Sequence, residues 1–423
     1  MPRTRSALAS AFLAAGPWTE EGLVERGAVA LGRRPRWLRT YVQKVLARFP
    51  EPPRHRYHEL ATFAPARRYR ARVWLPPDVA MGERRWDVPA FDTPGDLALW
   101  LELTPEELEW FMDERGLERL RRDERLRHYR YRWIPKRRGG LRLLEAPKPR
   151  LKAILRRILT EILDAVPAHD AAHGFRRGRS NRSHALAHVG KRVVARFDLE
   201  DFFLSVSAAR VAGIFRSFGY PTDVAWALAA LATNVAPPSD WTFAPFTSHG
   251  EIARLRRAEA LARTRHLPQG APTSPALANL AAFRLDVRLA ALARTMDATY
   301  TRYADDLAFS GERVPTSTLV ATIAADEGFA LNHRKTRTMR RSVRQQVTGV
   351  VVNERLSVPR DVFDRLKATL HNCVRLGPGS QNHEGHADFR AHLRGRIAYV
   401  KSLATLRGEQ LEREFDRIAW EDR

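Results

Sequence analysis

Only one cysteine, Cys373, occurs in 423 residues. That excludes an intramolecular disulfide and any zinc site built on thiolates, and a reducing setting, the cytoplasm, is expected. No apolar run approaches the ~20 residues that cross a bilayer, so no membrane anchoring is expected. The opening MPRTRSALASAFLAAG couples basic residues to a very short apolar stretch and reads as an amphipathic helix rather than a leader. Acids are also short: 48 Asp and Glu face 72 Lys and Arg, a net charge of +24. Such an excess attracts polyanions, nucleic acid foremost, although an arginine-rich coding bias also raises charge. No internal repeat breaks the chain into equal parts.

The first ninety residues differ from the rest. Thr19 reads as the cap of a helix opening with Glu20 and Glu21, and apolar Leu23, Val24, Val29 and Leu31 follow at helical spacing. After the Gly32–Pro35 break a second helix is expected from Trp37 to Leu46, giving a module loosely like a helix-turn-helix, or else a plain helical cap. Residues 50–90 interleave Pro and Arg with Tyr57, Phe63, Tyr69, Trp74 and Trp86, which suits phosphates and stacked bases or a solvated connector. Asp92-Thr93-Pro94 and Thr104-Pro105-Glu106-Glu107 each read as a capped helix start. From about 130 onward strands and helices alternate. Helices are expected within 143–165, after Pro147, and over 223–235, 275–294 and 315–327. Strands are expected over Val193–Leu199, Tyr300–Tyr303, Leu307–Ser310 and Val347–Asn353.

Two places gather carboxylates where they could converge. Asp198 ends the apolar strand VVARFD, and Asp305-Asp306 sit in the hairpin TRYADDLAFSG. Phosphoryl transfer to a sugar hydroxyl asks little covalent chemistry of a protein; it needs two hard cations ~3.5–4 Å apart, held by oxygen ligands. Either place alone is weak, since aspartates are common at strand ends and in turns.

Their order and the segments between them carry a resemblance. FDLEDFF (197–203), LPQGAPTSPALANL (267–280), YADD (303–306), GFALNHRKT (328–336) and VTGVVVN (347–353) resemble, in sequence order, the motifs of bacterial reverse transcriptases. The likeness spans about 130–400 and is greatest to the retron class. It implies an α+β right-hand polymerase with fingers, a palm built on an antiparallel sheet, and a helical thumb, preceded by a helical N-terminal extension. The divisions implied are a basic extension (1–90), N-terminal helices and fingers (91–195), a palm (196–354) with a finger-like insertion near 207–266, and a thumb (355–423).

The resemblance also implies roles. Asp198, Asp305 and Asp306, with Leu199, would hold two magnesium ions. Phe203 would screen the sugar 2′ position, Gln269 and Gly270 would lie beside the incoming dNTP, and Lys335 would sit near its triphosphate. In IPKRRGGLRLLEAPKPRLK (134–152), which resembles the finger hairpin, Lys136 and Arg142 flank a Gly-Gly turn, placed for a triphosphate or for template phosphates. Val347, Thr348 and Gly349 would grip the primer, and HLRGRIAYVKSL (392–403), resembling the thumb helix, would lay Arg394, Arg396 and Lys401 along the duplex.

Two elements favour the retron branch. His184-Ala185-Leu186-Ala187-His188 is close to that class's Asn-Ala-x-x-His, with His in the first place, and Val347-Thr348-Gly349 is intact. His184 and His188 are expected to contact RNA or to pack in the interior; no further ligands accompany them for a metal site. FFLSV (202–206) departs from the usual Phe-Phe-Pro-Ser, and the stretch 236–266, with Trp241, Phe243 and Phe246, is long; it would meet RNA or a partner protein, or be a surface loop. His383-Glu384-His386 reads as a solvated loop. A retron enzyme copies its own structured noncoding RNA, starting from the 2′-OH of a guanosine, into a branched RNA–DNA product that stays bound, commonly beside an effector in defence against phage. The alternatives are a group II intron or diversity-generating reverse transcriptase, or an RNA-binding scaffold that holds an effector. No Cys or His cluster follows the thumb, which argues against an intron protein.

Overall fold

The computed structural model describes residues 2–13, 16–31, 34–52, 60, 63, 81–83, 85–113, 116–120, 123–136, 141–238 and 249–420. Tyr57, Tyr69, Trp74, the Gly-Gly turn at 139–140, and Trp241, Phe243 and Phe246 lie outside them. In chain order the helices and strands begin with α1 (Pro2–Leu13), α2 (Glu20–Leu31), α3 (Arg36–Arg48), α4 (Pro94–Trp100), α5 (Pro105–Phe111) and α6 (Leu117–Leu120). There follow β1 (Tyr129–Pro135), β2 (Leu141–Pro147), α7 (Pro149–Glu161), α8 (Asn181–Leu186), β3 (Val193–Glu200), α9 (Ala208–Ser217), α10 (Thr222–Ala232) and α11 (His249–Ala262). Next come α12 (Ser274–Ala281), α13 (Phe283–Thr295), β4 (Thr299–Tyr303), β5 (Asp306–Gly311), α14 (Ser317–Asp326), β6 (Ala330–Leu331) and β7 (Arg337–Arg340). The chain closes with β8 (Gln346–Val347), β9 (Val350–Val351), α15 (Arg360–Leu376), α16 (Phe389–Leu403) and α17 (Thr405–Asp416). No described helix is long and apolar enough to cross a membrane.

The chain divides into two compact units, Met1–Val166 with Val206–Ser274, and Pro167–Ser205 with Pro275–Arg423. In the first, Thr93 and Thr104 cap α4 and α5 as the sequence implies: each hydroxyl accepts from the backbone three residues on, and Asp96 and Glu107 return the bond. β1 and β2 form an antiparallel hairpin in which Ile134 faces Arg142. The helix expected after Pro147 begins at Pro149, and residues 143–147 are strand, with Leu143, Glu145 and Pro147 turned inward.

The second unit is built on a sheet with strand order β4-β5-β3-β6, with β7 also paired to β3. Its apolar face packs Val194, Ala308 and Met339 against Val347, Val350, Leu366, Leu370, Leu393 and Ile397 of the C-terminal segment. The expected strand over 347–353 is instead a tight hairpin, β8 to β9, because Thr348 (φ 44°) and Gly349 (φ 85°) both take left-handed backbone. That pair of angles is what a two-residue hairpin with strand-matched twist needs. The expected helix over 275–294 is two helices that meet at Ala282.

Candidate active site

β3 and β5 run antiparallel with Asp198 directly opposite Asp306. Opposed residues in a ladder project to the same face, so the two carboxylates share a side of the sheet. Asp305 lies in the two-residue turn between β4 and β5, and its carbonyl accepts from Leu199 N–H at 2.9 Å. Only Asp305 of the pair is therefore in the turn; Asp306 begins the strand. Ala304, the first turn residue, has φ 56°, a left-handed conformation that costs a non-glycine residue about 1–2 kcal/mol.

That strain persists because the hairpin is held from two sides. Successive residues of β4 point to opposite faces. On one face Arg302, fully buried, lies against Asp286 of α13 through Nε at 2.9 Å and Nη2 at 2.7 Å. Its Nη1 donates to the Ala304 carbonyl and to Asn279 Oδ1, both at 3.0 Å. Tyr300 donates to Asp286 at 2.8 Å, and Asn279 donates to the Gly174 carbonyl at 2.9 Å. Gly174 is required there: a Cβ on it would stand 2.4 Å from Ala304 N. On the other face the Thr301 hydroxyl lies between His184 Nδ1 (2.6 Å) and His188 Nε2 (2.7 Å), donating to one ring and accepting from the other. His188 Nδ1 reaches the Ser310 hydroxyl of β5 at 2.7 Å.

Of the two readings open for His184 and His188, RNA contact or packing, burial favours packing: both are 0% exposed. Burial, then neighbouring positive groups, pushes His188 down to about 3 and His184 well below its ordinary value. Both rings are neutral at physiological pH and serve as hydrogen-bonding posts under the hairpin. Val347 is likewise fully buried, which leaves the Thr348-Gly349 turn as the accessible part of that motif. The two segments that point to the retron branch meet in the structure: Gly190 N–H donates to Val352 O at 3.0 Å, and Ala185 packs with Val347 and Val350.

The carboxylate site is short of positive charge. Lys335 Nζ bonds Asp198 Oδ2 at 2.9 Å, whereas Asp198 Oδ1 is buried with no hydrogen-bond partner. Burial and then the adjacent Asp305 push Asp306 up to about 6, with Asp198 adding to the effect. An orphaned carboxylate oxygen beside an unwillingly ionised carboxyl is a site that gains from a hard cation. Among the described residues no group of three or more Asp, Glu, His or Cys side chains is placed to hold a metal ion. Asp198 and Asp306, on one face of the sheet, fit a divalent cation held by one or two carboxylates together with water and substrate phosphates.

Other sequence-marked residues fall as follows. Phe203 is half-buried, its ring 5.9 Å from Phe175 and 5.8 Å from Phe202. Lys136 and Arg142 stand exposed at the end of the β1–β2 ladder that leads into residues 137–140. In the same unit the Gln269 carbonyl accepts from Glu145 N–H at 2.8 Å, and Gly270 (φ 136°) leaves no room for a Cβ, which would lie 2.8 Å from Glu145 O. Glu145 also bonds His266 at 2.9 Å and Asn234 at 2.7 Å, so a buried polar cluster ties β2 to the Gln269 loop. On α16, Arg394 covers the Phe415 ring at 5.6 Å and Lys401 pairs with Glu412 of α17 at 2.7 Å, so part of the expected duplex-facing charge is engaged inside the helical layer. Arg302 and Asp286 escaped sequence reading. The signal was present as a charge placed among core positions, Leu285-Asp286 with Leu289 and Ala293, and an arginine inside the apolar run TYTRY.

Comparison with known proteins fits this geometry. Residues 134–352, about half of the chain, match the family described as "Reverse transcriptase (RNA-dependent DNA polymerase)". The retron Mx65 reverse transcriptase of Myxococcus xanthus is 43% identical over 333 residues, 78% of this chain and 72% of that protein. The retron Mx162 enzyme of the same organism is 37% identical, covering 75% and 65%, and the retron Ec86 enzyme of Escherichia coli 28%, covering 62% and 72%. Among solved structures, telomerase from Candida albicans aligns at a TM-score of 0.33 and 11% identity, over 68% of this chain and 59% of that one. The family match and the retron relatives show a right-hand polymerase fold, and the antiparallel sheet with helices before and after it fits that fold. The chain belongs to the reverse transcriptase family, in its retron branch, and is an RNA-directed DNA polymerase.

Proposed function

We propose that the chain copies a cognate structured noncoding RNA into short, branched single-stranded DNA, using dNTPs at Asp198, Asp305 and Asp306. The observation that carries the metal assignment is the buried, unpartnered Oδ1 of Asp198 facing the same side as Asp306. Two magnesium ions, when bound there, supply the charge that activates the attacking hydroxyl and steadies the leaving oxygen. The chain's own residues do the rest. Arg302 and the two histidines hold the turn that delivers Asp305. Lys335 neutralises Asp198 before substrate arrives and is placed to turn to a triphosphate. Phe203 screens the sugar 2′ position, and Gln269 with Gly270, Lys136 and Arg142 receive the nucleotide.

On this reading residues 91–195 contribute helices and fingers, 196–354 the palm and 355–423 the thumb, and the Thr348-Gly349 turn meets the primer end. A cytoplasmic setting suits the lone, buried Cys373. The bound product would serve with an effector protein in defence against phage. The test is purification from the native host, with and without Asp305→Asn/Asp306→Asn. Wild type should carry a short DNA that changes size after RNase, and the double variant RNA alone. Wild type free of DNA would overturn the retron product, and DNA on the double variant would overturn the catalytic assignment.

A further inference from the structure

Phe175, in the second unit, stands in a conformation that its type disfavours. Its φ is 59°, left-handed backbone that a bulky residue adopts only under constraint. It is also 45% exposed, so burial does not explain a phenylalanine there. The constraint comes from the hairpin that carries Asp305. Arg302 N–H donates to the Ala171 carbonyl and His173 N–H to the Arg302 carbonyl, each at 2.7 Å, so residues 171–173 run beside β4 as a short parallel partner. Gly174 then lies against Ala304, and its carbonyl accepts from Asn279 Nδ2 at 2.9 Å. Phe175 follows directly, at an angle that glycine or asparagine would take at less cost.

What phenylalanine supplies is a ring. Its centroid lies 5.9 Å from that of Phe203 at an interplanar angle of 50°, within the range of attractive aromatic pairs. Phe203 meets a second ring, Phe202, at 5.8 Å. Phe202 is buried, lies 5.6 Å from Phe329 and has the Arg302 guanidinium 5.7 Å from its centroid. Both phenylalanines sit in a turn closed by Ser205 N–H on the Asp201 carbonyl at 2.9 Å. Phe203, half-buried, therefore packs against one core ring and one exposed ring. A ribose differs from a deoxyribose by a single hydroxyl, and an apolar wall rejects an added hydroxyl only weakly if it can yield. A half-exposed ring changes rotamer unless a neighbour fills the space it would enter.

We propose that Phe175 is a positioning residue for sugar selection: its ring confines Phe203, so that the screen at the 2′ position cannot swing away from a ribonucleotide. The inference rests on the reading of Phe203 as that screen. It also gives the strained backbone a purpose, because the bonds to Arg302 and Asn279 set the support of the screen and the turn at Ala304 in one frame. The test is single-nucleotide incorporation by the full chain on a primed RNA template, with a dNTP and the matching NTP. Wild type is compared with Phe175→Asn, Phe175→Tyr, Phe203→Ala and Phe175→Asn/Phe203→Ala. Asparagine tolerates left-handed backbone, so the melting temperature should stay near wild type. Preference for the dNTP should fall about 2–10-fold in Phe175→Asn, the worth of an aromatic pair, with the change lying in NTP incorporation. Phe175→Tyr keeps the ring and should keep the preference. The double variant should be no more permissive than Phe203→Ala, because a support has no effect once the screen is gone. An unchanged preference in Phe175→Asn, with Phe203→Ala relaxed, overturns this inference and leaves the screen standing. So does a double variant in which the two losses multiply, or a Phe175→Asn that melts lower and slows with both nucleotides alike. Wild-type preference in Phe203→Ala removes the screen itself, and this inference with it.

Discussion

The buried pair Arg302–Asp286 offers the sharpest test of how the catalytic turn is held. Both side chains are fully buried, with bonds of 2.9 and 2.7 Å between them. Asp286→Leu would strip the guanidinium of its counter-charge and Tyr300 of its acceptor. Removing one partner of such a pair costs about 3–5 kcal/mol, a large part of the ~5–15 kcal/mol that holds a domain folded. The double variant Asp286→Leu/Arg302→Met replaces the pair with apolar volume and should recover most of that loss. Denaturant unfolding of both variants measures the coupling. Primer extension then separates two roles. The double variant regains stability but lacks the guanidinium bonds to the Ala304 carbonyl and Asn279, so its synthesis rate should stay at least about tenfold down. A single variant that loses less than ~1 kcal/mol, or a double variant with wild-type rate, would refute the reasoning.

Three further outcomes follow from the same geometry. Asp306 is pushed up to about 6 from 3.8, so the metal-free fold favours its protonated form. The resulting penalty is absent below about pH 4 and grows as pH rises through 6, reaching up to about 3 kcal/mol. Melting in EDTA should therefore show stability falling across that window, and Asp306→Asn should flatten it; an unchanged profile would show that the carboxyl is not the source. Gly174→Ala drives a methyl into Ala304 N and should abolish synthesis while RNA binding, read by filter retention, persists. Phe203→Ala should relax discrimination against ribonucleotides in single-nucleotide incorporation, and an unchanged dNTP-to-NTP ratio would remove that residue as the gate.

Much of the site was legible because its chemistry is local. Asp198 closes an apolar strand, and Asp305-Asp306 punctuate an alternating hairpin; each pattern survives in one dimension. Capped helices at Thr93 and Thr104 are equally local, and both appear where the sequence places them. What failed depended on partners distant in sequence. His184 and His188, read along the chain, leave RNA contact and packing both open. They are buried because Thr301 and Ser310, more than 110 positions away, supply hydroxyls at 2.6–2.7 Å. The hairpin at Thr348-Gly349 was hidden by its β-branched neighbours, since Val350 and Val351 read as a continuing strand.

The distant contacts change the meaning of the hairpin motif itself. In TRYADD the aspartates are the candidate metal ligands, but Thr301, Arg302 and Tyr303 are no mere approach to them. Thr301 binds two histidines on one face. Arg302 binds Asp286 on the other and reaches round to the Ala304 carbonyl. Tyr303 pairs with Asp306 across the ladder and sets its ring 5.9 Å from His184. A turn with a non-glycine residue in left-handed backbone relaxes unless its surroundings over-determine it, and here both faces and the turn carbonyl are fixed. The geometry of the turn at Asp305 and Asp306 is thus maintained by neutral hydrogen bonds on one side and a buried ion pair on the other. Loss of either should loosen the turn before it unfolds the sheet.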